Sequence, residues 1–231
     1  MSVLVIVAHP DDEVLGAGGT IAATTAAGKN VTVLIMAEGV SLRHQGVTLE
    51  RARETCRGAA RRLGVSDVRF GGFAVDGTLM GDGSQRAVVS LVADVLADVR
   101  PDTVLTHHPG DIHVDHRLLA RSVVYATRVM AAGTVRRVLH FEVLSSTEQQ
   151  TDTASAFLPT VYHDITGYIE VKCQALEEYH YEVFDAPHPR SAHGARALAA
   201  YRGTQVGTVA AEAFVLGREF VDASVWTGGV T

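Results

Sequence analysis

A chain of 231 residues, 47% apolar and 20% charged, is long enough for a sizeable core and suits one large α/β unit. Its net charge of −6 gives no basic footprint for nucleic acid or an anionic membrane, and no apolar run approaches the roughly 20 residues that span a bilayer. Met1-Ser2 leads straight into strand-like sequence without a signal peptide's n-region, and the distant Cys56 and Cys173 read as reduced thiols of a cytoplasmic protein.

The β-branched run Val3–Ala8 predicts a strand buried on both faces. Val14–Ala27 reads as a helix stopped by Gly28, and Val31–Met36 as a second buried strand. Leu49–Leu63 is a helix with Gly64 just past its end, and Val68–Phe73 a third strand weakened by Gly71-Gly72. Ser84 caps a helix whose apolar stripe runs Val88, Leu91, Val92, Val95, Leu96 and Val99, closed by Pro101. Thr103–Thr106 is a short strand, His107 to Asp115 a loop, and a helix continues to about Ala132 before the strand Val138–Val143. Beyond it, Ser145–Ser155 reads as an exposed polar loop, Val161–Ile165 as a strand and Gly167–Tyr181 as a helix. "DAPHPRSAHG" from Asp185 to Gly194 is rich in turns, Ala195–Gln205 is a last helix and Glu212–Leu216 a late strand.

This alternation implies an α/β fold: a single doubly wound, mostly parallel, Rossmann-like sheet with helices on both faces. No repeat, linker or second core interrupts the chain. Residues 1–231 therefore read as one domain, with a regular core over about 1–144 and pocket-forming and C-terminal elements over about 145–231.

In such sheets sites form at the carboxyl ends of strands. "AHPDDE" follows the first strand and "THHPGDIHVDH" the fourth, so both motifs lie on one edge of the sheet. His9, Asp12 and His116 supply two imidazoles and one carboxylate, a ligand set suited to zinc or another divalent ion with a position left open for water. Asp11 is placed to take a proton from that water, because a metal lowers the water's pKa from about 16 towards about 7. His113, three residues before His116, would face the reacting centre, with Asp115 holding and charging it. Each residue also has a plainer reading. Asp12 and Asp115 fit helix N-caps, His9 a turn before Pro10, and Glu13 a helix-dipole carboxylate. His107 and His108 read as loop polarity or support rather than ligands, and Arg53 as a surface charge. The glycines of the first helix suggest a dinucleotide loop, but Ile21 stands where G-x-G-x-x-G needs its third glycine.

"AHPDDE" with a later "H-x-D-H" resembles the LmbE-like, or PIG-L, family of zinc-dependent N-acetyl-sugar deacetylases. The resemblance extends to Arg51 and Glu54 in "RARETCRGAARRLG", to "DGTL" from Asp76, to "VYHDITGYIEVKCQAL" and to the late "AEAF". It implies a Rossmann-like fold and hydrolysis of the acetamide of an N-acetylglucosaminyl conjugate. By the same resemblance His9, Asp12 and His116 bind Zn2+, and Asp11 is the general base. His113 is then the imidazolium that stabilises the oxyanion and protonates the leaving amine, and Arg51, Asp76 and, more loosely, Arg190 of "HPRS" meet the sugar. Two departures mark the chain. Tyr179-His180-Tyr181 stands where relatives often carry Ser-Gln, and Val75 stands before Asp76 where a proline is usual. The expected partner is an N-acetylated amino-sugar conjugate, with no nucleic acid and no membrane; a homo-oligomer is compatible with the sequence. A binding protein with a silent site leaves Asp11 and His113 without a purpose, and a carboxylate-pair glycosidase leaves the histidines without one.

Overall fold

The computed structural model describes residues 2–38, 46–73, 84–128, 133 and 135–222. Strand β1 (Ser2–Val7) leads to helix α1 (Asp12–Ala26), β2 (Asn30–Ala37), α2 (Leu49–Arg62), β3 (Asp67–Phe73), α3 (Ser84–Val99), β4 (Thr103–His107), α4 (Val114–Ala126) and β5 (Arg137–Phe141). Then come two short 3-10 turns (Thr147–Gln149 and Thr153–Ser155), β6 (Val161–Asp164), α5 (Ile169–Glu177), α6 (Ala192–Thr204) and β7 (Ala211–Glu219). All seven strands join one sheet in the order β3-β2-β1-β4-β5-β7-β6. The first five are parallel, and β7 runs antiparallel to both β5 and β6.

This order makes sense of the β1 run. Leu4, Ile6 and Ala8 pack with α3 and α4 on one face, whereas Val3, Val5 and Val7 pack with α1, α2 and α5 on the other. A strand covered on both sides has no solvent face, so its sequence cannot alternate. Gly28 and Gly64 follow the ends of α1 and α2 with φ of +72° and +77°, the left-handed backbone glycine adopts most cheaply.

The chain winds outward from β1 to β3 and then returns to β4 on the other side of β1. The crevice at the carboxyl ends of β1 and β4 is therefore the switch point of the sheet.

Several boundaries differ from expectation. His107 closes β4 rather than opening a loop, because it pairs with Phe141 of β5. Helix α4 ends at Ala126, not near Ala132; residues 129–132 lie outside those described. Helix α5 covers Ile169–Glu177, and Tyr179 to Tyr181 form turns instead of its last coil. The segment from Ser145 is not wholly exposed, since Ser146 and Thr147 are buried. No helix among the described residues is long and apolar enough to cross a membrane.

Candidate functional site

The ends of β1 and β4 are tied together directly: the Ala8 amide donates to Nε2 of His107 at 2.9 Å. Beyond this tie the chain turns at Asp11, whose φ of +92° places a non-glycine residue in the left-handed region. Such backbone persists only where its surroundings hold it, and it occurs disproportionately at functional sites. Asp11 is the N-cap of α1 by position, yet its carboxylate caps nothing; its carbonyl accepts from the amides of Val14 and Leu15 at 3.0 and 2.9 Å. The strained turn thereby frees one carboxylate and aims the next. Asp12, in the first turn of α1, folds back so that Oδ2 accepts from the His9 amide at 2.9 Å.

That same oxygen is the focus of the site. Asp12 Oδ2 lies 3.4 Å from His9 Nδ1, 3.3 Å from His116 Nε2 and 3.5 Å from His107 Nε2. Two ligands each about 2.1 Å from a tetrahedral ion stand about 3.4 Å apart, so the first two spacings match a metal's coordination edge. The opposite nitrogen of each of these two histidines faces a buried carboxylate: Asp115 Oδ2 is 2.8 Å from His9 Nε2, and Asp111 Oδ2 is 3.2 Å from His116 Nδ1. Carboxylates placed behind imidazoles in this way fix ring orientation and raise ligand basicity. Both ring nitrogens of His116 are buried without an aligned hydrogen bond, although carboxylate oxygens are near. Two trios bring their ligand atoms within 4.8 Å of one another, His9–His113–His116 and Asp12–His107–His116. This buried His/Asp cluster can hold a metal ion.

The electrostatics point the same way. Burial opposes charge on His116, but Asp12 and Asp111 outweigh it and raise the imidazole's pKa to about 10. Burial also opposes charge on Asp12, yet the charge of His116 holds its carboxyl well below the usual range. Asp11 behaves oppositely: burial and the neighbouring Asp12 push its carboxyl well above the usual range, with Arg190 as a counterweight 3.4 Å away. Burial, then the charges of His9 and His116, lower the pKa of His113 to about 4.

His113 is the N-cap of α4, and its Nδ1 accepts the Asp115 amide at 3.2 Å, which leaves a proton on Nε2 of the neutral ring. Its ring centroid is 4.6 Å from that of His116 and 4.7 Å from that of His9. The Asp115 carboxylate, expected to hold and charge His113, makes its 2.8 Å contact with His9 Nε2, while its charge also acts on His113. It belongs to the first turn of α4 and is fully buried against the end of β1, so its reach crosses to the neighbouring motif.

A cavity of 370 Å³ opens over these groups, with His9, Asp11, Asp12, His113, His116 and Arg190 in its lining. One wall is aliphatic, from Ile112, Val114, Val143 and Leu144. Arg190 also reaches Glu182 at 3.2 Å. Arg51 stands exposed in the first turn of α2, outside this lining, and Asp76 lies outside the described residues. Arg53, expected at the surface, is instead half-buried in a two-pronged pair with buried Glu38 at 2.5 and 3.0 Å. Asp111 went unnoticed because "PGD" reads as a turn; in the fold it accepts from the hydroxyls of Ser146 and Thr147 and from the His113 amide.

The family model described as PIG-L, GlcNAc-PI de-N-acetylase, matches residues 4–127. The chain is 31% identical over 187 residues to a probable N-acetyl-alpha-D-glucosaminyl L-malate deacetylase 2 of Bacillus cereus, covering 75% of this chain and 80% of that protein. N,N'-diacetylchitobiose deacetylase from Pyrococcus horikoshii superposes with a TM-score of 0.71 at 22% identity, over 93% of this chain and 83% of that one. GalB, the 4-carboxy-2-hydroxymuconate hydratase of Pseudomonas putida KT2440, gives 0.72 at 24% identity, over 96% and 98%. At such identities the two structures share the fold alone, and they differ in reaction.

Proposed function

Because the chain belongs to the PIG-L family, whose model is described as GlcNAc-PI de-N-acetylase, we propose that it is a zinc-dependent deacetylase that hydrolyses the acetamide of an N-acetylglucosamine-type conjugate. The observation that carries this reading is Asp12 Oδ2 at coordination spacing from His9 Nδ1 and from His116 Nε2, each imidazole backed by a carboxylate, beside Asp11, whose carboxylate caps no helix amide. His9, Asp12 and His116 are the proposed ligands. His107 is set aside because its Nε2 lone pair already accepts the Ala8 amide. A zinc ion bound by His9, Asp12 and His116 would supply a Lewis acid able to polarise the acetyl carbonyl and acidify water.

The remaining steps belong to the chain. Asp11 takes a proton from the attacking water, a role helped by burial, which raises its carboxyl well above the usual range and so makes it the stronger base. Attack on the carbonyl carbon gives a tetrahedral oxyanion, to which His113 donates from Nε2. A ring neutral in the free protein donates this bond without giving up its proton, so Asp11 is the better source of the proton that the departing nitrogen receives. The carbon–nitrogen bond then breaks, releasing acetate and a free amine. Asp115 acts through His9, which it orients. Arg190 is the proposed sugar contact that also restrains Asp11; Arg51 and Asp76 are sugar contacts by family resemblance alone. Residues 1–231 act as one domain in the cytoplasm.

A second reading is favoured by the aliphatic wall of Ile112, Val114, Val143 and Leu144: an amidase for another acylated amino-sugar carrying an apolar group, such as an antibiotic or lipid conjugate. Acetate release across N-acetylglucosaminides that differ only at the anomeric substituent separates the two. Asp11→Asn and His116→Ala test the residue roles. The first keeps bound zinc and loses at least about 100-fold in kcat; the second loses the metal. Near-full activity in Asp11→Asn removes that residue as the base.

A further inference from the structure

Helix α1 is broken. At Ala17 the backbone leaves helical values, with φ −146° and ψ 16°, although the helix contains no proline. The break separates a short segment, Asp12 to Gly16, from a longer one running on to Ala26. The short segment carries the acids of the site, begins at the strained Asp11 and is too short to hold itself helical. A break also orphans carbonyls on one side and amides on the other, and here both are buried.

Two residues from the far end of the chain satisfy them. Lys172 of α5 donates from Nζ to the Leu15 carbonyl at 2.9 Å. Glu212 of β7 accepts the Gly19 amide on one carboxylate oxygen at 2.9 Å and the Thr20 amide on the other at 2.7 Å. Lys172 and Glu212 meet at 2.6 Å and are 3% and 5% exposed. The cation thus sits at the carboxyl end of the first segment and the anion at the amino end of the second, each with the favourable sign. The glycines belong to the same arrangement: a Cβ on Gly16 would lie 2.3 Å from the Phe141 ring, and one on Gly19 2.7 Å from Ile165. The glycine-spotted pattern therefore serves close packing, and the half-helix end that could receive a phosphate holds the protein's own carboxylate.

We propose that the buried Lys172–Glu212 pair is a positioning device that clamps the broken α1 and so fixes Asp11 and Asp12 at the site. This rests on the deacetylase reading for its kinetic consequence, not for its geometry. The test compares the wild-type chain with the neutral double variant Lys172→Met/Glu212→Gln, which leaves no unpaired buried charge. Each is melted, assayed on an N-acetylglucosaminide and examined with Co2+ in place of zinc. The double variant is expected to melt cooperatively, to lose at least tenfold in kcat with KM within threefold, and to change the visible absorption of bound Co2+, which follows ligand geometry. Glu212→Asp keeps the charge but draws the carboxylate back by one carbon, and is expected to give a smaller loss in the same direction; it decides the question if the double variant does not fold. A folded variant with wild-type kcat and a wild-type cobalt spectrum overturns the proposal. If the wild-type protein releases no acetate, the deacetylase reading falls, and the cobalt spectra still decide the clamp.

Discussion

Asp111→Asn probes the least legible part of the site. Asp111 is fully buried and accepts from the Ser146 hydroxyl, from Thr147 Oγ1 at 2.6 Å and from the His113 amide at 2.7 Å, with His116 Nδ1 3.2 Å away. Asparagine keeps the shape but removes the charge and turns an amide N–H towards at least one donor. Losing one hydrogen bond to a charged acceptor costs about 1.5–3 kcal/mol, which lowers Tm by about 3–12 °C in a chain of this size. Losing the carboxylate behind a ligand histidine weakens metal binding by about 10–100-fold. Thermal melts of metal-free protein measure the first effect, and competition with a chromogenic chelator measures the second. Burial opposes ionisation of Asp111, but His116 and the two hydroxyls hold its carboxyl well below the usual range. Its stabilisation is thus present above the unfolded-chain pKa of about 4 and is lost as pH falls through the lower folded value. Asp111→Asn should accordingly lose less stability on acidification than wild type. A folded Asp111→Asn with wild-type metal affinity refutes the role given to this residue.

Arg190→Met removes the cation that restrains the Asp11 carboxyl, so the acid limb of kcat/KM moves to higher pH; a limb that stays or moves down contradicts the contact. Burial raises the Glu13 carboxyl from 4.5 to about 7, against the Tyr179 hydroxyl that donates to it at 2.6 Å. The unfolded chain ionises first, so this residue's contribution is intact below about 4.3 and falls as pH rises towards the folded value. In chelator-treated protein Glu13→Gln should gain up to about 3 kcal/mol at pH 8 relative to its effect at pH 4, and equal effects at both pH values contradict this. Gly16→Ala places a Cβ 2.3 Å from the Phe141 ring and should cost about 1–3 kcal/mol by urea unfolding, where a change below about 0.5 kcal/mol would show that the ring yields freely.

The parallel core was readable because strands buried on both faces appear as unbroken apolar runs, and glycines with left-handed backbone stop α1 and α2 where expected. The meeting of "AHPDDE" and "HVDH" was readable as well, since β1 and β4 are neighbours at the switch point. What escaped depends on contacts distant in sequence. Asp115 turns to His9, 106 residues earlier, and Asp111 collects hydroxyls from a stretch whose polarity suggested exposure. Arg53 pairs with Glu38, 15 residues earlier, a contact that no local pattern reveals. Helix α5 stops early because Tyr179 turns inward to the Glu13 carboxyl. Polar residues report their own chemistry in a sequence, but not which partner burial will assign to them.

The most direct test is reconstitution of chelator-stripped protein with zinc while acetate release from an N-acetylglucosaminide is followed. Acetate release should be absent without metal and reach its maximum at one equivalent of zinc per chain. Full acetate release that persists under complete chelation would contradict metal-dependent deacetylation at this site.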